Sequence, residues 1–153
     1  MRRFHYQFEV RASLQAVADF HRDTRALRRL TPPPIFVQFH YLEPLAEGSI
    51  AEFTLWFGPF PVRWRAVHTQ VDEQRGFTDT QVVGPLRFWR HRHFFKSLDA
   101  QRTLIREEIE YEYPSGIDGW WTQVVYSPLA LRFLFLYRSL ITRWNLERDG
   151  PSQ

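Results

Sequence analysis

Residues 77–95 read FTDTQVVGPLRFWRHRHFF, and this stretch decides the fold because it encodes two neighbouring strands. Phe77–Val83 and Leu86–Phe95 are rich in the aromatic and β-branched residues that favour strands, and Gly84-Pro85 between them is a turn signal. The connection is too short for the crossover that parallel strands require. The stretch therefore predicts an antiparallel hairpin.

The two faces of this hairpin follow from the period-two alternation of side chains in a strand. Arg90 and Arg92 occupy even positions, so the odd positions, which include His91 and His93, are predicted to face inward. Residues directly opposite each other in an antiparallel pair share a face. The predicted opposite pairs are Val83 with Arg87, Gln81 with Trp89, Asp79 with His91, and Phe77 with His93.

The same strand pattern recurs on both sides of the hairpin, with turn signals between the runs. In the last run the even positions carry arginine and glutamates, so Glu107 is predicted to point inward, close to His91 or His93. The outward arginines and glutamates of the two runs look like cross-strand charge pairs. The remaining predicted strands are Arg3–Arg11, Ile35–Glu43, Gly48–Phe57, Val62–Val71 and Thr103–Tyr113.

Helices are predicted in two parts of the chain. Ser13 and Asp23 are residue types preferred at helix N-caps, and each precedes a short apolar pattern at helical spacing. Near the C-terminus, Trp121 to about Leu146 is predicted to form one long helix, with Pro128 kinking its first turns. Its predicted inward stripe is Leu129, Phe133, Leu136, Leu140 and Trp144.

The predicted order of elements is β-α-α-β-β-β-β-β-β-α, which is an α+β arrangement. A seven-stranded antiparallel sheet must cover one face, and the C-terminal helix is the only predicted element long enough to do so. We therefore predict a curved sheet around the long C-terminal helix, with an apolar cavity between them and the two short helices closing one end. We expect residues 1–153 to form one domain.

Composition excludes several functional classes. Cysteine is absent, which excludes disulfides, thiolate metal sites and cysteine nucleophiles. The formal net charge is only +3 and the charges are interspersed, so we expect no nucleic-acid partner. Neither a signal-peptide pattern nor an apolar run of about 20 residues is present, so we expect a soluble, cytoplasmic protein.

The inward-facing Asp79, His91, His93 and Glu107 form a predicted acid–histidine cluster with three interpretations. It is a structural network that fixes the strands, a polar anchor that orients a ligand oxygen, or a general acid–base pair. Two histidines and a carboxylate are also metal-ligand types. Because histidines two positions apart on a strand are weak support for a metal site, we predict no metal and no cofactor.

The hairpin residues resemble those of a bacterial group of ligand-binding proteins in the START-like (SRPBCC) superfamily. That superfamily has the helix-grip fold, shared by polyketide cyclases and birch-pollen-allergen proteins. Further points of resemblance are Leu30-Thr31-Pro32-Pro33, Tyr111-Glu-Tyr-Pro114 and Phe135-Leu-Tyr137-Arg138. Glu107 stands where the resemblance leads us to expect aspartate. The resemblance implies a helix-grip fold and a ligand cavity, but no particular ligand.

We predict that the protein binds or carries a small hydrophobic molecule of lipid, polyketide-like or isoprenoid type in this cavity. The alternative is a metal-free cyclase- or dehydratase-type enzyme that uses His91 or His93 with Asp79 or Glu107. The residues predicted to contact the ligand are Trp56, Trp64, Phe77, Gln81, Trp89, His91, His93, Tyr111, Phe133 and Tyr137.

The C-terminal helix is apolar all round at Phe133–Tyr137, which is more than one buried face requires. Either the short helices and loops cover its far side, or that side is an interface. We favour an interface, formed by a homodimer or by contact with a membrane surface. A protein-interaction module that uses this helix is therefore a third functional hypothesis.

Overall fold

The computed structural model describes residues 1–148, and its elements follow the predicted order. A short 3-10 turn at Ile117–Gly119 precedes the last two helices. The strands are β1 (Arg2–Val10), β2 (Phe36–Leu42), β3 (Ile50–Phe57), β4 (Phe60–Asp72), β5 (Gly76–Val83), β6 (Phe88–Asp99) and β7 (Arg102–Glu112), and the helices are α1 (Leu14–Arg22), α2 (Ala26–Arg29), α3 (Trp120–Val125) and α4 (Pro128–Glu147).

All seven strands form one antiparallel sheet in the order β1-β7-β6-β5-β4-β3-β2. The meander from β2 to β7 confirms the prediction. Strand β1 pairs with β7 in a register that joins Arg2 to Tyr111 and Val10 to Thr103, a placement that the sequence pattern did not predict. Because β1 and β2 lie at opposite edges, α1 and α2 carry the chain from one edge of the sheet to the other.

Helix α4 lies in the concave side of this sheet. The fully buried ring of Phe135 has its centroid 5.6 Å from that of Phe4 on β1 and 5.4 Å from that of His91 on β6. One side chain thus meets two strands that β7 separates, so the sheet curls around the helix. A second group of buried apolar side chains packs α1 onto the sheet, and it includes Phe8, Val17, Phe95 and Ile105.

The predicted single C-terminal helix is wrong in one respect, because it is two helices. Ser127 separates α3 from α4, and its Oγ accepts a hydrogen bond from the backbone N–H of Ala130 at 3.2 Å. Pro128 follows in the first turn, where its missing N–H leaves no partner unsatisfied. A serine cap and a proline together begin a new helix instead of kinking an existing one.

The predicted inward stripe of the C-terminal helix is also wrong. Its members are between 48% and 79% exposed, and they are Leu129, Phe133, Leu136, Leu140 and Trp144. The buried face instead carries Leu131, Phe135, Ser139 and Thr142. Ser139 satisfies its hydroxyl within the helix by donating to the Leu136 carbonyl at 2.8 Å. Small residues of this kind let α4 approach the sheet closely. The hydrophobic pattern alone could not predict which of the two apolar faces of the helix is buried.

Candidate functional site

A cavity of about 390 Å³ lies between the concave face of strands β2–β6 and helix α4. Its walls are mostly apolar, with Phe53, Trp64 and Trp89 from the sheet and Leu131 and Leu134 from α4. Leu27 and Leu30, at the end of α2, line a further wall. This volume lies within the roughly 300–1,000 Å³ that is typical of small-molecule sites.

The cavity reaches the surface beside the segment that connects α2 to β2. Four of its lining residues are exposed, namely Asp23, Pro33, Pro34 and Phe133. Phe133 belongs to both the cavity wall and the exposed face of α4, where its side chain is 63% exposed. The opening is therefore bounded by α4 on one side and by the proline-rich segment on the other.

The predicted acid–histidine cluster lies in one wall of the cavity. Asp79 pairs with His91, and His93 pairs with both Phe77 and Glu107, which confirms the predicted register in this part of the sheet. The pair predicted between Gln81 and Trp89 is absent, because the β5–β6 ladder ends at Thr80 and Arg90.

Two carboxylate oxygens hold both imidazoles. Asp79 Oδ2 lies 3.1 Å from His93 Nε2 and 3.4 Å from His91 Nδ1. Glu107 Oε2 lies 2.8 Å from His91 Nε2 and 2.9 Å from His93 Nδ1, although the last contact is too poorly aligned to be a hydrogen bond. The four side chains thus form a closed ring in which acids and imidazoles alternate.

Charge decides the protonation of this ring. Burial alone lowers the pKa of His93, but the charge of Glu107 and the hydrogen bond to Asp79 outweigh it and raise that pKa to about 9. Burial alone raises the pKa values of Asp79 and Glu107, but the two histidines outweigh it and hold both pKa values below their ordinary range. At neutral pH both acids are therefore carboxylates and His93 is a cation.

Two further histidines line the cavity, and burial lowers the pKa of each of them. The pKa of His21 falls to about 4, and its Nδ1 lies 2.8 Å from the Val17 carbonyl oxygen. Since a carbonyl can only accept, Nδ1 carries the proton and Nε2 is left as an acceptor. His68 Nδ1 lies 3.0 Å from Ser49 Oγ. Both side chains are neutral polar groups in the wall.

Arg138 is the functional candidate that sequence reasoning missed. It lies on α4, lines the cavity, and donates from Nε to the Leu30 carbonyl oxygen at 3.2 Å. Burial lowers its pKa from the ordinary arginine value. In the sequence, Arg138 is one of two arginines, with Arg132, in the apolar run that contains Phe133 and Phe135. Only the rotation of α4 reveals that this arginine faces inward.

The structure brings some of the predicted ligand-contact residues together and leaves others out. Those that line the cavity are Trp64, Phe77, Trp89, His91, His93 and Phe133, and the catalytic candidate Asp79 lies among them. The catalytic candidate Glu107 lies behind the histidines, buried and outside the lining. Trp56, Gln81, Tyr111 and Tyr137 are also outside the lining.

Each displaced residue has a physical reason. Trp56 is on the outer face of β3, where its Nε1 donates to Gln38 Oε1 at 2.9 Å. Gln81 turns away to donate to the Leu86 carbonyl oxygen at 2.7 Å. Tyr111 is packed into the core beside Trp89, with ring centroids 6.3 Å apart. Tyr137 lies on a side of α4 that is turned away from the cavity.

Asp79, His91 and His93 are also the side chains that come closest to a metal-ligand set. One ligand atom from each lies within 4.8 Å of the others. A metal requires an unprotonated imidazole nitrogen, however, and His93 is held as a cation by two carboxylates. Metal binding at this cluster would have to break the acid–histidine ring.

The ring also limits what the cluster can do chemically. Each histidine is held through its Nε2 by a hydrogen bond to a carboxylate, and all four imidazole nitrogens lie within 3.4 Å of a carboxylate oxygen. Asp79 differs, because its Oδ2 makes both histidine contacts and its Oδ1 accepts no hydrogen bond from residues 1–148. Its side chain keeps 18% of its surface exposed. The cluster therefore offers the cavity a fixed acceptor.

No family model matches this sequence, and no curated protein matches it significantly. Solved structures do. The Zhui aromatase/cyclase from Streptomyces is similar over 99% of this chain and 96% of its own, with a TM-score of 0.79 and 13% identity. A START superfamily protein from Mycobacterium smegmatis is similar over 97% and 99%, with a TM-score of 0.69 and 11% identity.

Norcoclaurine synthase from Thalictrum flavum, solved in complex with dopamine and hydroxybenzaldehyde, is similar over 99% of this chain and 89% of its own. Its TM-score is 0.66 and its identity 16%. Sequence identities this low establish the fold and not the activity. The chain has the START-like, helix-grip fold that its hairpin sequence resembles.

Proposed function

We propose that this protein binds and carries a small, largely apolar molecule in the cavity between the sheet and α4. The observation that carries the proposal is the cavity itself, about 390 Å³ with aromatic and aliphatic walls and a few fixed polar groups. An apolar wall with a small number of oriented polar groups is the usual composition of a small-molecule site. The lipid, polyketide-like and isoprenoid classes expected from the sequence all fit such a lining.

A cyclase- or dehydratase-type enzyme is the second candidate. It is favoured by Asp79, whose Oδ1 is available to accept a proton or a hydrogen bond inside the cavity. The low pKa of Asp79 makes it a weak base, however, and the imidazoles are already engaged by carboxylates. Carriage without chemical change is therefore the better supported proposal.

The exposed face of α4 supports a further part of the proposal, which is that the protein meets membrane surfaces. Five large apolar side chains from Leu129 to Trp144 lie along this face, over about 22 Å of helix. Trp120 and Val124 of α3 are also more than 60% exposed. Phe133 connects this apolar face to the cavity opening, so a bound molecule would pass between cavity and bilayer without crossing open water.

The charges on α4 favour an anionic membrane over a second copy of the chain. Arg132 and Arg148 are exposed beside the apolar face, and the Cζ of Arg148 lies 4.8 Å from the ring centroid of Trp144. The one acidic residue of α4, Glu147, is engaged by Arg11. Two copies packed through this face would bring arginines together without acidic partners, whereas anionic lipid headgroups attract them. Within residues 1–148, no helix has the length and hydropathy to cross a bilayer.

Cavity binding is tested by titrating the protein with N-phenyl-1-naphthylamine, a neutral probe whose fluorescence rises in apolar surroundings. Ala66 lines the cavity and is buried, so Ala66→Phe places a ring inside it. Val67 is the next residue of the same strand and faces outward, half-exposed, so Val67→Phe is the matched control.

We expect the wild-type protein and Val67→Phe to bind one equivalent of probe with similar affinity, and Ala66→Phe to lose at least about tenfold in affinity. Thermal unfolding of each variant shows whether the fold survives the substitution. Equal binding by Ala66→Phe and Val67→Phe, with both folded, would mean that the probe binds elsewhere and would refute the proposal.

A further inference from the structure

Arg138 places a cation at the wall of an apolar cavity. No Asp or Glu oxygen among the side chains that the structure describes lies within 4 Å of its guanidinium, although most arginines of the sheet are paired with acids. Of its five N–H donors, the Nε–H is used, in the bond to the Leu30 carbonyl oxygen. The Nη1 and Nη2 groups make no hydrogen bond within the described residues.

The position of the guanidinium is nevertheless well defined. Besides the Leu30 contact, its Cζ lies 5.1 Å from the ring centroid of Phe135, which is fully buried. These two contacts fix the guanidinium of a residue that also lines the cavity. A side chain fixed in this way loses little conformational entropy when it binds a further partner.

Neither Asp79 nor Glu107 forms an ion pair with Arg138. Asp79 Oδ2 and Glu107 Oε2 are each bound between His91 and His93, and Glu107 lies behind the histidines and outside the cavity lining. Asp79 and Glu107 act on Arg138 only through their charge, at a distance. Arg138 is partly buried, and a ligand that supplies an acceptor can take hydrogen bonds from the guanidinium donors that have no protein acceptor.

We propose that Arg138 binds a carboxylate of the carried molecule, so that the natural ligand is an apolar carboxylic acid. This inference rests on the proposed function and specifies its ligand class. The Nη1 and Nη2 groups form a planar fork whose geometry matches the two oxygens of a carboxylate. The remainder of the molecule then lies against the aromatic and aliphatic walls formed by Trp64, Trp89 and Leu131.

The test compares two molecules of nearly equal size in displacement of N-phenyl-1-naphthylamine. One is 1-naphthoic acid, and the other is 1-naphthalenemethanol, which has a hydroxyl in place of the carboxylate. The variants are Arg138→Gln and, as a matched control on the same helix, Arg132→Gln, whose side chain is exposed to solvent. Arg138→Lys keeps the charge and removes the fork.

At pH 7 we expect the wild-type protein and Arg132→Gln to bind the acid at least about tenfold more tightly than the alcohol, as a charge-assisted bidentate contact requires. Arg138→Gln is expected to abolish this preference without weakening binding of the alcohol, and Arg138→Lys to retain only part of it. If Arg138→Gln does not fold, Arg138→Lys supplies the comparison, and an acid preference equal to that of the wild-type protein would overturn the inference.

Binding of the alcohol as tightly as the acid by the wild-type protein would overturn the inference and leave the proposed function standing. A preference for the acid that survives in Arg138→Gln would do the same, because it would assign the carboxylate to another group. Failure of the neutral probe and both naphthyl compounds to bind would instead overturn the proposed function.

Discussion

His91 donates a hydrogen bond to Glu107, with 2.8 Å between Nε2 and Oε2, and neither side chain is more than 6% exposed. Glu107 can only accept, because its low pKa keeps it ionised. Since Glu107 does not line the cavity, this contact supports the cavity wall without meeting a ligand. The acid–histidine ring thus has a buried side at Glu107 and a side that lines the cavity at Asp79.

Glu107→Gln removes the charge but keeps the length of this side chain. We expect it to lower the free energy of unfolding by about 2–4 kcal/mol, because His93 remains a buried cation with one carboxylate fewer. Glu108→Gln, on the outer face of the same strand, is the control. Its ion pairs with Arg92 at 3.8 Å and Arg106 at 3.4 Å are partly exposed, so we expect a loss of less than about 1 kcal/mol.

Chemical denaturation of both variants measures the difference. A loss in Glu107→Gln no greater than that in Glu108→Gln would contradict a structural role for the ring. Glu107→Asp refines the test, because the shorter side chain keeps the charge but withdraws it from His91. We expect its stability to lie between those of the wild-type protein and Glu107→Gln.

The stability of the protein is expected to be greatest near pH 6.5. The pKa of His93 is raised to about 9, so its stabilising contribution is complete below its unfolded pKa of 6.5 and is lost as the pH rises towards 9. The pKa of His21 is lowered to about 4, so the unfolded state takes up its proton first and stability falls as the pH drops from 6.5 towards 4. Each of these two histidines contributes on the order of 3 kcal/mol to its limb.

Denaturation measured from pH 4 to pH 10 tests both limbs. The charged groups that act on His21 and His93 from neighbouring elements are Asp79, Glu107 and Arg138, and all three keep their charge between pH 5 and pH 9. His21→Phe is expected to reduce the acidic limb, to which the lowered pKa of His68 also contributes, and to leave the alkaline one. Stability that rises steadily from pH 6 to pH 9 would be incompatible with the assigned cation at His93.

Binding to membranes is expected to depend on the exposed face of α4. The wild-type protein should co-sediment with phosphatidylcholine vesicles that contain phosphatidylglycerol. Binding should be weaker to pure phosphatidylcholine or in added salt, because the arginines attract the anionic headgroups. The double variant Leu136→Ser/Leu140→Ser removes the centre of the apolar face. The control Val82→Ser/Val83→Ser removes two exposed apolar side chains from β5 instead.

We expect only the α4 double variant to lose vesicle binding. Light scattering in solution measures the oligomeric state and so tests the alternative, in which this face joins two copies of the chain. If the protein is a dimer that Leu136→Ser/Leu140→Ser converts to a monomer, and vesicles do not bind it, the exposed face of α4 is an interface between two copies and the membrane proposal is wrong.

Most of the hairpin was predictable because strand geometry has a fixed period. Once Arg90 and Arg92 were assigned outward, parity alone brought Asp79 opposite His91. The prediction failed at Gln81 and Trp89, where the chain leaves the ladder before the turn and the Gln81 amide bonds the Leu86 carbonyl oxygen. Alternation gives the face of a residue, but it does not give the point at which pairing ends.

Helix α4 was less predictable because its sequence is apolar on more than one side. The stripe through Leu129 and Leu140 and the face through Leu131 and Phe135 are both apolar, and the sheet packs against the second. That rotation brings Arg138 to the cavity, so its importance depended on a tertiary contact. Residues such as Leu27 and Leu30 enter the lining for the same reason.

Binding inside the cavity is most directly tested by a crystal structure of the protein with N-phenyl-1-naphthylamine. We expect the probe to lie between the sheet and α4, in contact with Trp64 and Leu131, with the acid–histidine ring intact beside it. A probe bound only on the exposed face of α4, with the cavity filled by repacked side chains, would contradict the proposal that this protein carries its ligand inside the fold.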